Sequence, residues 1–102
     1  MKLSVGLFGF GRTGSFVAKE IIKDPDCELR WVIRRTKGQN KMWASRQLGF
    51  DHDEGQLLSF LDAGAEGFYR DNKVDVIIDF SASNAVSEYM AAADFGTRIV
   101  SA

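Results

Sequence analysis

The clearest chemical signal in this chain is the run Gly9-Phe10-Gly11-Arg12-Thr13-Gly14, which fits G-x-G-x-x-G between an apolar run and a segment of helical spacing. Gly9 permits a tight turn. Gly11 lets the backbone approach a pyrophosphate where a Cβ would collide, and Gly14 permits close packing of helix on strand. Free N–H groups at the helix start would then meet phosphate oxygens, with Phe10, Arg12 and Thr13 at the same loop. The plainer reading is a set of turn glycines in an α/β domain, favoured less by the flanking context.

A second signal is charge placement. Residues 29 to 50 hold Arg30, Arg34, Arg35, Lys37, Lys41 and Arg46 and no Asp or Glu, whereas the rest of the chain is acidic. The cluster starts about 20 residues after Gly14, where an NAD-binding domain carries an acid that grips the ribose 2′-hydroxyl. Arg34-Arg35 stands there instead. A carboxylate would repel a 2′-phosphate and a guanidinium would hold it, so the expected cofactor is NADP(H) in preference to NAD(H), with NAD(H) still possible. A solvated basic loop or a nucleic-acid patch would give the same composition; nucleic acid ranks last, since no exposed aromatics interleave with the charges.

Asp79-Phe80-Ser81-Ala82-Ser83-Asn84 is the third feature. At a strand end bordering the same crevice, Phe80 and Ser81 would line the ribose and nicotinamide side of the cofactor. Capping of the next helix by Ser81, Ser83 and Asn84 fits the spacing equally well. Asp79 reads as a buried carboxylate holding loop N–H groups, and no residue is assigned as a catalyst. Cys27 reads as inert. His52, in Asp51-His52-Asp53-Glu54, reads as part of a solvated loop rather than a metal site. Trp31 reads as core; Trp43 either covers an adenine or packs beneath the loop.

These residues need elements to hold them. Leu3 to Phe8 reads as a strand, and Val17, Ala18, Ile21 and Ile22 form a helical stripe that Asp24-Pro25-Asp26 stops. Glu28 to Ile33 is a second strand, completing a βαβ unit. Met42 to Leu48 suggests a short helix, Gly49 to Gly55 a loop, and Leu57, Leu58, Leu61, Ala65, Phe68 and Tyr69 a helical stripe interrupted by glycines. Val74 to Asp79 is a buried strand, Val86, Tyr89, Met90 and Ala93 share a helical face, and Thr97 to Ser101 is a last strand. The expected architecture is a three-layer, Rossmann-like, doubly wound α/β fold of four to five parallel strands. The first strand lies centrally, between the second and the strand at 74–79.

Composition sets the outer bounds. With 102 residues, 45% hydrophobic, and 13 basic against 14 acidic side chains, the chain suits one domain and no whole-chain polyelectrolyte role. One cysteine and one histidine make neither an internal disulfide nor a Cys/His metal cluster. Met1-Lys2 and the apolar run after it imitate a secretory signal but lack its cleavage pattern, and no stretch nears the roughly 20 apolar residues of a membrane span. A reducing, cytoplasmic setting follows as the expectation.

Gly11-Arg12-Thr13-Gly14, similar to a G-R-M-G motif, and Val74 to Ser81, similar to D-V-x-I-D-F-T, together resemble the N-terminal nucleotide-binding domain of dihydrodipicolinate reductase, an enzyme of lysine and diaminopimelate biosynthesis. The resemblance implies an NADP(H)-dependent oxidoreductase delivering hydride to a small unsaturated carboxylated substrate, with Arg35 at the place of a basic residue near the adenosine ribose. It also implies that residues 1–102 form the cofactor domain, that a second domain outside this chain binds the substrate, and that copies assemble as a homo-oligomer. The loop departs from the family's G-x-x-G-R-M-G by one residue, Thr13 replaces the methionine, and Ser101-Ala102 stands where G-T-T-G would begin. Two other classes remain open: a non-catalytic nucleotide-sensing module, and the cofactor domain of a related amino-acid dehydrogenase.

Overall fold

The computed structural model describes residues 2–34, 43–59, 67–80 and 96–101. Strands β1 (Leu3–Phe8), β2 (Cys27–Arg34), β3 (Gln56–Ser59), β4 (Val76–Asp79) and β5 (Arg98–Ser101) form one parallel sheet in the order β3-β2-β1-β4-β5. Helix α1 (Arg12–Lys23) follows β1, α2 (Ala44–Gln47) precedes β3, and α3 (Phe68–Asp71) precedes β4. The first strand is central, between β2 and β4, as the doubly wound strand-helix alternation predicts.

Alternation along the strands divides the core between two faces. On one face Leu7, Leu29 and Val32 pack with Ala18 and Ile22 of α1 and with Ala44 of α2. On the other, Phe8, Ile33 and Ile77 surround Trp31, which meets Phe68 and Tyr69 of α3 edge-on. Trp31 is 2% exposed, and its indole N–H donates to the Asn72 carbonyl at 3.0 Å. A Cβ at Gly6 would collide with that indole, so the small residue of β1 is what admits the large one of β2.

Leu29 and Trp31 are two residues apart yet lie on opposite faces. The register explains this: Val5 faces Leu29 and Gly6 faces Trp31, leaving Arg30 as an extra residue in β2. The neighbouring Leu29 amide donates to the Glu54 carboxylate at 2.9 Å.

One expectation is corrected. Leu57 and Leu58 belong to β3, paired with Val32 and Ile33, and not to a helix running on to Tyr69. Their side chains go to opposite faces and join both cores, so tertiary pairing decides a segment whose local spacing suggested a helix. The stripe's Leu61 and Ala65, the helix expected around Val86 to Ala93, and the start of the short helix at Met42 lie outside the described residues. No helix among the described residues is long and apolar enough to cross a membrane.

Candidate functional site

The carboxyl ends of β2, β1 and β4 lie side by side. Past the end of β1, the Gly9 amide donates to the Ile33 carbonyl at 2.8 Å, and the Phe80 amide donates to the Phe8 carbonyl at 2.7 Å. The glycine loop is thereby flanked by β2 on one side and β4 on the other. Helix α1, in the β1–β2 connection, covers one face; α3, on the way from β3 to β4, covers the opposite face. Neighbouring connections thus diverge at β1, the topology that opens a ligand crevice beyond the strand ends.

Within the loop each glycine has its own geometric reason. Gly9 has φ +106°, a region that side chains disfavour. A Cβ at Gly14 would run into the Gly9 carbonyl oxygen, so the first turn of α1 can close on the loop only without one. Gly11 is exposed, with nothing within 4 Å of where its Cβ would stand. No side chain caps α1, and its first turn has no acid. The Ser15 hydroxyl donates back to the Gly11 carbonyl at 2.6 Å and leaves the first-turn N–H groups free of side-chain partners. Free N–H groups, the positive end of a helix and an open α-carbon suit an anionic group such as a pyrophosphate.

Arg34 follows Ile33, whose carbonyl receives the loop amide, and so stands at the edge of this crevice. By alternation it shares the α1 face with Val32. It is half-buried and, among the described residues, its side chain has neither hydrogen bond nor ion pair. Arg46 and Arg70 differ, being paired with Asp53 at 2.7 Å and Asp71 at 3.2 Å. Arg12 and Thr13 are exposed at the helix start. Phe10 and Phe80 are half-buried and pack against the α1-side core, giving the crevice an apolar wall. Asp79 is 4% exposed at the end of β4. Arg35 and Ser81 lie outside the described residues.

Ser59 was not foreseen. It ends β3 in register with Arg34 and is 3% exposed, placing a buried hydroxyl beside the arginine. The signal available for it was Gly55 before a four-residue run rich in leucine, masked by the apparent helix.

Trp43 is nowhere near the loop. It bridges to Gln56 at the start of β3, at the opposite end of the sheet, which resolves the two readings against the adenine. His52 Nε2 lies 2.9 Å from Glu54 Oε1, while the Ser45 hydroxyl donates to the His52 carbonyl rather than its ring. Among the described residues no three His, Cys, Asp or Glu side chains converge on a metal-sized space. Partial burial, then the negative field of Asp24, raises the Cys27 pKa, which favours the protonated thiol.

The family described as "Dihydrodipicolinate reductase, N-terminus" matches residues 3–102. Glyceraldehyde-3-phosphate dehydrogenase of Pyrococcus abyssi (strain GE5 / Orsay) is 37% identical over 86 residues, 78% of this chain and 25% of that protein. The dipicolinate-bound dihydrodipicolinate reductase of Paenisporosarcina sp. TG-14 superposes with a TM-score of 0.66 at 19% identity, over 99% of this chain and 37% of that one. Scyllo-inositol dehydrogenase of Lactobacillus casei, with bound NAD(H), gives 0.62 at 20% identity, over 99% and 28%. At such identities the two structures speak for the fold alone. The chain spans only about a quarter to a third of these relatives' length.

Proposed function

This chain belongs to the dihydrodipicolinate reductase N-terminal family, and on that premise we propose that it is the NADP(H)-binding domain of a reductase that transfers hydride to a small, unsaturated, carboxylated substrate. The observation that carries the cofactor choice is Arg34: a half-buried cation, its side chain unpaired among the described residues, beside a glycine loop with no acid in the following turn. In this reading the loop from Gly9 to Gly14 binds the pyrophosphate through its N–H groups. Arg34 and Arg35 hold the 2′-phosphate, and Phe80 with Ser81 flanks the nicotinamide half. When bound, the nicotinamide would supply a hydride from C4 to one atom of the acceptor bond, a proton donor of the second domain would complete the other atom, and this chain would supply orientation. A C=N or C=C bond is the acceptor, held by a second domain in a cytoplasmic protein of diaminopimelate and lysine biosynthesis.

Partly exposed Arg–phosphate contacts set the scale: about 1.4 kcal/mol per tenfold gives a preference for NADPH over NADH on the order of ten- to a thousandfold. Parallel titrations with NADPH and NADH test it, and equal affinities or tighter NADH would refute it. Arg35→Asp is expected to weaken NADPH far more than NADH.

A further inference from the structure

A second hollow lies at the other end of the sheet. It measures about 390 Å³ and is framed by Lys2 ahead of β1, Glu28, Leu29 and Arg30 of β2, Trp43, Asp53 and Gly55, with Glu54, whose two carboxylate oxygens are engaged by the Leu29 amide and the His52 ring. Its frame is braced by backbone: Ala44 N–H donates to the Gly55 carbonyl at 2.7 Å and Ser45 N–H to the Glu54 carbonyl at 3.0 Å, closing the segment 44–55 on itself. The extra residue in β2 is Arg30, and it borders this hollow. Bulges of this kind redirect a side chain away from the ladder, and they recur beside functional sites.

What distinguishes the lining is unused capacity of both signs. Lys2 and the Trp43 indole N–H have no partner among the described residues. Among the described residues the Arg30 guanidinium makes no hydrogen bond: Glu28 lies at 3.9 Å, too long for one, and Asp75 feels its charge without a bond. Asp53 commits Oδ1 to Arg46, and its Oδ2 has no hydrogen-bond partner among the described residues. Two cations and an indole donor therefore meet two available carboxylates across an aromatic face, a pattern that complements a molecule with one charge of each sign and an apolar body.

We propose that this hollow binds a free α-amino acid with an apolar side chain: the carboxylate on Lys2 and Arg30, the ammonium on Glu28 and Asp53, and the side chain over Trp43. The site is separate from the dinucleotide crevice and does not rest on the cofactor reading.

Trp43 is the accessible one of the two tryptophans, so its fluorescence reports occupancy, with calorimetry as an independent readout. The unmodified chain is titrated with L-phenylalanine, with 3-phenylpropionate, which lacks the ammonium, and with phenethylamine, which lacks the carboxylate. L-Phenylalanine is expected to saturate in the millimolar range or tighter, with each analogue at least about fivefold weaker. Arg30→Ala should weaken L-phenylalanine by a similar factor, while Arg70→Ala, at a residue that does not line the hollow, leaves it within about twofold. No saturable signal with L-phenylalanine, or equal binding of either analogue, overturns the proposal. So does a folded Arg30→Ala chain that binds as before. The analogue comparison uses only the natural chain and decides even where the variant does not fold.

Discussion

Ser45 is 0% exposed and bonded twice: its hydroxyl donates to the His52 carbonyl at 2.6 Å and accepts from the Glu54 amide at 2.8 Å. Ser45→Ala leaves both groups without that partner and is expected to cost about 1–3 kcal/mol, read as a lower urea midpoint at unchanged slope. Asp75 is exposed, and its Oδ2 receives both the Ser4 amide at 2.9 Å and the Ser4 hydroxyl at 3.0 Å. These bonds, the backbone one first, lower its pKa from the ordinary value of 3.8. Because the native value is the lower, the stabilisation is complete above 3.8 and disappears as pH falls from there through the native pKa. Asp75→Asn should therefore flatten the acid limb of a stability–pH curve below pH 3.8 relative to the parent, and parallel limbs would contradict this. At this scale the glycine loop was legible, because glycine is the one residue whose absence of a side chain is its chemistry. The place of Trp43 was not, since nothing local to an indole says which end of a sheet it will reach.

Elements were legible where burial and local spacing agree. β1, α1, β2 and β4 carry patterns that only one period satisfies, and the structure has them close to where those patterns fall. β3 was hidden because two adjacent leucines serve both faces of a sheet and, with the residues after them, also imitate one face of a helix. The packing of β1 against β2 gives an element-scale test. Gly6→Ala should cost about 1–3 kcal/mol through the collision with Trp31. Trp31→Leu removes that obstacle, so the double variant should be less unstable than the two single losses added together. Strict additivity would mean that the contact does not set the strand spacing.

Over the whole molecule, cofactor and fold are linked, because the loop that would receive the dinucleotide is fixed by β1, β2 and β4 together. At a free concentration of one hundred times Kd, binding adds about 2.7 kcal/mol, which for a domain of this size raises the melting temperature by on the order of 10 °C. NADPH should produce that shift at a lower concentration than NADH, and the difference should narrow as salt is raised, because a partly exposed guanidinium is screened. A thermal scan across ionic strength checks both. The odd residue in β2 matters for anyone lining this chain up with kin that lack it. A gap belongs at Arg30; without it every position from Cys27 to Leu29 is assigned to the wrong side of the sheet, and a designer borrowing residues from such a homologue would bury what should be wet.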